Sequence, residues 1–241
     1  MEPITNQSPR RVRLVSMRHH WSQLAFVHWA VDPAVIAPLL PRHVRPDLLG
    51  ETTYLGLIGL RICVLLGGRL PVPRLGVFNE THLRVYSADR HGRRGAVFLV
   101  LNADRLLTSG FARFVLRVPY TWSPSEITHA EAVVTYTTTR RWPAGPDRLR
   151  FGVRIGDRIS DVAGVDQFVT ARWSMHTRWL GRTVRVDVDH PPWPLHSAEL
   201  VDLDLPQQFL AEVGLPVRLG EPQSVLWSPG VTAVVGFPVP V

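Results

Sequence analysis

The stretch FNETHLRVYS, residues 78–87, distinguishes two ways in which this chain can fold. In an extended strand its side chains alternate between two faces. The apolar face carries Leu83 and Val85, and the opposite face carries Glu80, His82 and Arg84. An ordinary half-buried strand leaves the titratable face in water, whereas a strand that encloses a cavity turns that face inward. The first arrangement means nothing for function, and the second predicts a site.

Length and composition limit the kind of domain. At 241 residues, 45% of them hydrophobic, the chain can bury a substantial core as one large domain or two small ones. No repeat, low-complexity segment or long linker divides the sequence. We therefore expect a single domain over residues 1–241, with residues 1–12 as a flexible N-terminal arm.

No segment is typical of membrane insertion or export. The longest apolar segment, residues 53–68, is shorter than a bilayer span and contains Arg61. The N-terminus has no apolar run before its basic residues. We therefore expect a cytoplasmic protein without a membrane partner, and the sequence leaves self-association into a homo-oligomer open.

All of the 27 lysine and arginine residues are arginine, and the net charge is +7. The absence of lysine excludes a Walker P-loop, whose lysine reaches the phosphates, and every mechanism that needs a lysine Schiff base. The arginines are scattered, and no helix-turn-helix, zinc-finger or aromatic RNA-binding pattern accompanies them. Nucleic acid is therefore not favoured as a partner.

The histidines and the single cysteine are poorly arranged for a metal site. Cys63 lies alone in an apolar run, which excludes an internal disulfide and a multi-cysteine zinc site. The motif DHPPWPLH, residues 189–196, holds His190 and His196 without the spacing of a metal-binding histidine pair. We expect no metal and no other cofactor. The prolines of this motif predict a rigid turn that fixes Trp193.

Short strand-like runs separated by proline and glycine make up most of the chain. We predict strands at residues 23–31, 52–64, 81–87, 95–103, 130–140, 148–156, 182–190, 196–205 and 231–239. We predict short helices at residues 32–40, 103–115, 164–173 and 206–214. Many short strands with few helices indicate an α+β domain whose sheet curls into a barrel.

An ordered series of motifs resembles a known family. The series is HWAVDPAVIAPLLP, FNETHLRVYS, RRGAVFLVLNADR, RVPY, DQFVTARW, DHPPWPL, AEVGLP and SPGV, and it runs from Trp21 to Pro229. It is similar to the YqjF-like family of uncharacterised bacterial proteins, which is placed in the acetoacetate decarboxylase-like superfamily. The resemblance implies a strongly curved antiparallel β-sheet or barrel around a central, largely apolar cavity. The titratable face of residues 78–87 then lines that cavity.

The resemblance also bears on the mechanism. Enzymes of the superfamily use a lysine that forms a Schiff base with a β-keto acid, assisted by arginine and by the glutamate of an aromatic-x-Glu motif. Glu80 in the sequence FNE matches the glutamate. The lysine motif would fall near residues 95–98, where this chain has Gly-Ala-Val-Phe. The decarboxylase mechanism therefore cannot be carried over.

The candidate catalytic residues are Glu80, His82 and Tyr120. Glu80 and Arg84 are four residues apart, so in a strand they share a side and can meet or share a ligand. The alternative is a solvent-exposed pair that contributes little. His82 lies between them and can be an acid or base near neutral pH, or a hydrogen-bonded structural histidine.

The candidate substrate-binding residues are Arg84, Arg113, Arg172 and Trp173. An arginine on a mostly apolar segment, such as Arg113, needs an anionic partner, which can be a ligand carboxylate or an internal one such as Glu80. Arg172 and Trp173 resemble an arginine-aromatic pair that follows a helix in the family. Trp173 can stack on a ligand, although an indole beside a turn is often part of the core.

Two functional classes follow. The first is an enzyme that handles a small carboxylated or oxygenated metabolite by acid-base chemistry, as a lyase, isomerase or cyclisation catalyst without a covalent lysine adduct. The second is a binding or accessory protein that keeps the cavity and has no turnover. The acid-base residues favour the enzyme, and in both classes the partner is a small anionic or carbonyl-bearing molecule.

Overall fold

Long strands form a sheet that closes on itself. The computed structural model describes residues 1–66, 70–72, 76–104, 120–142 and 147–241. Within these residues, fourteen strands are hydrogen-bonded into one sheet. The strands are β1 (Val15–Val31), β2 (Val44–Pro46), β3 (Thr53–Leu66), β4 (Leu70–Pro71), β5 (Val77–Asp89), β6 (Arg94–Ala103), β7 (Tyr120–Trp122), β8 (Ser125–Ala130), β9 (Val133–Arg140), β10 (Asp147–Arg158), β11 (Ser174–Trp179), β12 (Arg182–Asp189), β13 (His196–Asp204) and β14 (Ser224–Pro240).

Three short α-helices interrupt the strands of the described residues. They are α1 (Pro33–Ile36), which continues into a 3-10 turn at Ala37–Leu39, α2 (Gly164–Thr170) and α3 (Gln207–Glu212). The start of α1 matches the sequence signal, because the Asp32 carboxylate accepts a hydrogen bond from the Ala34 amide at 2.8 Å. Pro33 occupies the first helical position, where its missing N–H costs nothing.

The barrel is a ring of strands in the order β1-β3-β5-β6-β11-β12-β14, closed by pairing of β14 with β1. Neighbouring strands of the ring are antiparallel except for β6 and β11. β7 also pairs in parallel with β6. The predicted fold class, a strongly curved and mainly antiparallel sheet with few short helices, is confirmed. The parallel pairings were not predicted, because they depend on a long crossover connection rather than on local sequence.

A second layer covers the outside of β1, β3 and β5. β13 pairs with the first part of β14, and β10, β9 and β8 follow it in the sheet. Val27, Leu57 and Leu83 are fully buried in one cluster with residues of β9 and β10, including Tyr136 and Phe151. The covered strands therefore have one face on this core and the other face on the barrel interior.

The predicted elements largely match the observed ones. Each of the nine predicted strand runs lies within or overlaps an observed strand. β1 begins at Val15, eight residues before the predicted start. The prediction missed β2, β4, β7 and β11, and it missed all of β8 except its last residue. The β11 sequence SMHTRW has little apolar alternation, so its strand depends on pairing with β6 and β12. Of the predicted helix at residues 103–115, the part from residue 105 onward lies outside the described residues.

The N-terminal segment, expected as a flexible arm, is instead hydrogen-bonded to the barrel. The Glu2 amide donates to the Gly92 carbonyl at 2.8 Å, and Arg94 Nε donates to the Glu2 carbonyl at 2.7 Å. Trp173 Nε1 donates to the Thr5 carbonyl at 3.2 Å. Because these partners lie far away in sequence and the segment has no apolar pattern of its own, the sequence did not reveal this contact.

The approach of the second layer to β3 depends on Gly59. A Cβ atom at this position would overlap Tyr136 Cδ1 and would lie 2.8 Å from Phe151 Cζ. We predict that Gly59→Ala lowers the free energy of unfolding by about 1–3 kcal/mol, because the two rings have to move. Urea denaturation measures the change. The control is Gly220→Ala, where a Cβ meets nothing within 4 Å. An equal loss in both variants would contradict the close packing of the two layers.

Candidate functional site

The barrel encloses a cavity of about 450 Å³. Most of the described residues that line it are apolar, such as Phe26, Ile58 and Leu60 from β1 and β3. The sequence produces this lining by alternation, because every second residue of a barrel strand points inward. The titratable residues of the lining are His19, Glu80, His82, Arg84, Tyr120, Arg172 and His190.

Strand β5 turns its titratable face into this cavity. Glu80 is 3% exposed and His82 is 5% exposed, and both belong to the cavity lining together with Arg84. Leu83 and Val85, on the opposite face, are also completely buried, because the second layer covers them. Neither face of the strand lies in bulk water, so the half-buried alternative does not describe residues 78–87.

Glu80, His82 and Tyr120 form one hydrogen-bonded cluster. His82 Nδ1 lies 2.9 Å from Glu80 Oε1. The Tyr120 hydroxyl, which comes from β7, donates to Glu80 Oε2 at 2.8 Å. The structure therefore brings the three candidate catalytic residues together around a single carboxyl group.

The buried surroundings determine which members of this cluster carry protons. Burial lowers the pKa of His82, although the hydrogen bond to Glu80 opposes the shift. Burial and the neighbouring Glu80 raise the pKa of Tyr120 well above its ordinary value. At neutral pH the imidazole is therefore uncharged and the phenol keeps its proton. A proton on His82 Nδ1, donated to Glu80, leaves a lone pair on Nε2, which has no hydrogen-bond partner among the described residues.

Arg84 is half-buried at the cavity wall. Its Nε donates to the Tyr86 hydroxyl at 3.2 Å, and its Nη2 donates to the Val169 carbonyl at 3.0 Å. Among the described residues, no carboxylate lies within 4.0 Å of its guanidinium group. Arg84 therefore does not form the direct ion pair with Glu80 that the four-residue spacing suggested, and its charge is not neutralised by an adjacent anion.

Arg172 reaches the cavity from the segment after α2, but it already has an anionic partner. Its Nη1 donates to Asp47 at 2.5 Å, and Arg94 donates to the same carboxylate at 2.5 Å. Its guanidinium lies over the ring of Phe168, with the carbon 4.1 Å from the ring centroid. Burial lowers the pKa of Arg172, and Asp47 opposes the shift. Arg172 therefore lines the same cavity as Glu80 and Arg84, but its ion pair is with Asp47 and not with Glu80.

Trp173 and Arg113, the other two candidate binding residues, are not among the described residues that line this cavity. Trp173 lies outside the cavity lining and packs against His190, with ring centroids 4.5 Å apart. Trp173 is 2% exposed, and it lines a separate cavity of about 480 Å³. Arg113 lies outside the described residues.

His190 is a cavity residue that sequence reasoning did not identify as a site residue. Its Nδ1 lies 2.7 Å from the Pro191 carbonyl oxygen. Because a carbonyl oxygen only accepts, Nδ1 carries the proton and Nε2 presents a lone pair. Burial lowers the pKa of His190 to about 4, so the ring is neutral. The only sequence signal was its position in the proline-rich motif, whose Trp193 packs against it with centroids 4.6 Å apart.

The described residues contain neither a metal-binding cluster nor a membrane-spanning helix. They contain no group of three or more histidine, cysteine, aspartate or glutamate residues that could hold a metal ion. His196, which the proline-rich motif places near His190 in sequence, lies on β13 and contacts the Gly156 carbonyl at 3.2 Å. None of the described helices is long and apolar enough to cross a membrane.

Comparison with known proteins shows a family to which this chain is similar. The pattern that defines DUF2071, a family described as uncharacterized conserved protein, matches residues 18–232. The uncharacterized protein YqjF of Bacillus subtilis (strain 168) is 24% identical over 185 residues, which cover 76% of each chain. The resemblance noted in the sequence is confirmed by both findings.

Solved structures share the fold at low sequence identity. The enduracididine biosynthesis enzyme MppR, complexed with pyruvate, matches with a TM-score of 0.65 and 13% identity, over 94% of this chain and 90% of that chain. The acetoacetate decarboxylase of Legionella pneumophila matches with a TM-score of 0.63 and 11% identity, over 97% of this chain and 91% of that chain. At these identities the likeness establishes the fold alone.

Buried or half-buried histidines with lowered pKa values predict an acid-sensitive fold. Burial lowers the pKa of His19, His176 and His190 from 6.5 to about 4. Between these values the unfolded chain binds protons that the folded chain does not bind, so stability falls as the pH decreases from 6.5 towards 4. The wild type should lose unfolding free energy when the pH falls from 7 to 5. We predict that His19→Gln loses about 2 kcal/mol less than the wild type over this range.

The matched control for this measurement is His20→Gln, because His20 is the exposed neighbour of His19 on β1. Urea denaturation of both variants and the wild type at the two pH values gives the comparison. The control should keep the wild-type pH dependence. If His19→Gln also keeps it, the lowered pKa of His19 is wrong.

Proposed function

The chain belongs to the DUF2071 family, and we propose that it acts on a small carboxylated or carbonyl-bearing metabolite in the barrel cavity, by acid-base chemistry without an imine. The observation that carries the proposal is the cluster of Glu80, His82 and Tyr120 in the wall of a largely apolar cavity. Titratable groups that are desolvated and hydrogen-bonded to one another in a cleft are typical of functional sites.

Each member of the cluster has a role in this proposal. Glu80 holds the His82 ring in the tautomer with its proton on Nδ1, and it stabilises the imidazolium that forms when Nε2 accepts a proton from the substrate. Tyr120 keeps its proton at neutral pH because its pKa is raised. Rotation of its hydroxyl from Glu80 to a substrate oxygen makes it the proton donor.

Arg84 is the proposed anchor for the anionic end of the substrate. Its Nε and Nη2 atoms donate hydrogen bonds to neutral oxygens of Tyr86 and Val169. Its positive charge therefore remains available to a ligand carboxylate. Arg172 contributes less direct charge, because Asp47 already pairs with it. MppR, which shares the fold, binds pyruvate, and this supports a carboxylated ligand by analogy of fold.

The absence of lysine argues for a mechanism without a covalent adduct. Where the family resemblance puts a lysine motif, Ala96 and Phe98 belong to the cavity lining. Phe98 packs its ring against His82, with centroids 4.8 Å apart. An arginine cannot replace the lysine, because its guanidinium group stays protonated at neutral pH.

A binding protein without turnover is the second candidate. Both carboxylate oxygens of Glu80 are already hydrogen-bonded within the protein, and most of the lining is apolar. These features suit a site that holds a ligand without reacting with it. The two candidates differ in whether a bound carbonyl compound exchanges protons.

We predict Glu80-dependent proton exchange on bound keto acids. Wild-type protein incubated in D₂O with 2-oxo and 3-oxo acids should incorporate deuterium next to the carbonyl, measured by NMR. Glu80→Gln keeps the size and the acceptor oxygen but removes the charge that stabilises the imidazolium, so exchange should fall by about 10²–10⁴-fold. Ligand binding that persists without any exchange in the wild type favours the binding protein.

We also predict that no imine forms. Treatment of the purified protein with acetoacetate and borohydride should leave its mass unchanged, apart from reaction at the terminal amine, because no lysine is present. Mass spectrometry of the intact protein and its peptides gives the measurement, and an acetoacetate decarboxylase that has the lysine is the positive control. A reduced adduct on an internal residue would refute the prediction.

A further inference from the structure

The cavity has a titratable side and an apolar side. Its titratable lining residues come from β1, β5, β7 and the connections that precede β11 and follow β12. Among the described residues, the lining from β11, β12 and the end of β14 has no titratable group and consists mainly of Met175, Trp179, Val184, Val186, Val188 and Phe237. The titratable groups of the described lining are therefore confined to one part of the wall, while the other part adds the hydroxyl groups of Ser174 and Thr177.

The apolar side follows from the sequence of β12. The alternation RTVRVDVD turns Val184, Val186 and Val188 inward. It turns Arg185 and Asp187 outward, where Arg185 Nε donates to Asp187 at 2.7 Å. The strand thus separates its charges from the cavity and pairs them on the other face. An apolar wall of this extent does not bind a charged group, but it can bury the hydrocarbon part of a ligand.

The size of the cavity exceeds what a small keto acid fills. A volume of about 450 Å³ corresponds to about 15 water molecules at about 30 Å³ each. Pyruvate has only about six non-hydrogen atoms and would occupy less than half of that space. Protein interiors are otherwise close-packed, so the remaining volume along the apolar wall has to be accounted for.

We propose that the natural ligand is an amphipathic carboxylate or carbonyl compound with an apolar tail of about eight carbons. The polar end lies at Arg84 and the cluster around Glu80, and the tail lies along β11, β12 and the end of β14. The position of the polar end rests on the proposed function, whereas the tail rests on the size and lining of the cavity alone. Short keto acids are then weak ligands, because they leave the apolar wall uncovered.

Binding of a homologous series tests the proposal. Straight-chain carboxylates of about four to about twelve carbons are titrated into the purified protein by calorimetry, beside 1-alkanols of the same lengths. The Kd of the acids should fall about fourfold for each added methylene up to about ten carbons and then level off. A Kd that does not change with chain length overturns the inference.

A matched pair of variants locates the tail. Val186→Phe adds volume to the apolar wall and should raise the Kd of the longer acids about tenfold, with little effect on the shortest. Val201→Phe is the control, because Val201 is 37% exposed on β13, outside the lining, and it should leave every Kd unchanged. Equal effects of the two variants overturn the placement of the tail.

Arg84→Gln separates this inference from the proposed function. If Arg84 holds the carboxylate, the variant raises the Kd of every acid by a similar factor and leaves the alkanols unaffected. Acids that keep their affinity in this variant, with the chain-length dependence intact, refute the proposed anchor but support the apolar tail. If neither acids nor alkanols bind at any length, the tail inference is wrong.

Discussion

Burial of both faces of the central parts of β1, β3 and β5 is the constraint on which the rest of the structure depends. One face packs under the second layer, where Gly59 allows Tyr136 and Phe151 to approach β3. The other face encloses the cavity. Because a buried polar group costs free energy unless it is hydrogen-bonded, the polar residues that face inward need partners within the protein or in a ligand.

The buried carboxylates show how the protein meets this requirement. Asp47 is 0% exposed and accepts from Arg94 and Arg172. Glu80 is held by neutral partners, a histidine and a tyrosine, and not by an arginine. Arg84 is the contrasting case, because only neutral oxygens accept its hydrogen bonds among the described residues. The proposed anionic ligand rests on this contrast, because Arg84 has no adjacent carboxylate among the described residues whereas Asp47 and Arg172 are already paired.

The fold of this protein does not by itself indicate its chemistry. The barrel has the acetoacetate decarboxylase-like architecture, while the sequence has no lysine with which to form an imine with a carbonyl compound. At the wall position near residues 95–98, a phenylalanine packs on the imidazole of His82. A chain without lysine has only acid-base groups and binding contacts to offer in this cavity, so function has to be argued from the site and not from the fold.

The sequence by itself determined the features that depend on local geometry and composition. Alternation predicted the two faces of β5 and most strands, and the absence of lysine excluded the imine. Only the tertiary structure decided that both faces of β5 are buried, that Arg172 pairs with Asp47, and that His190 joins the cavity. Asp47 and Arg172 are 125 residues apart, and each lies in a connection between strands. Such partners meet only when β2 pairs with β5, β5 with β6 and β6 with β11, and no local pattern encodes these pairings.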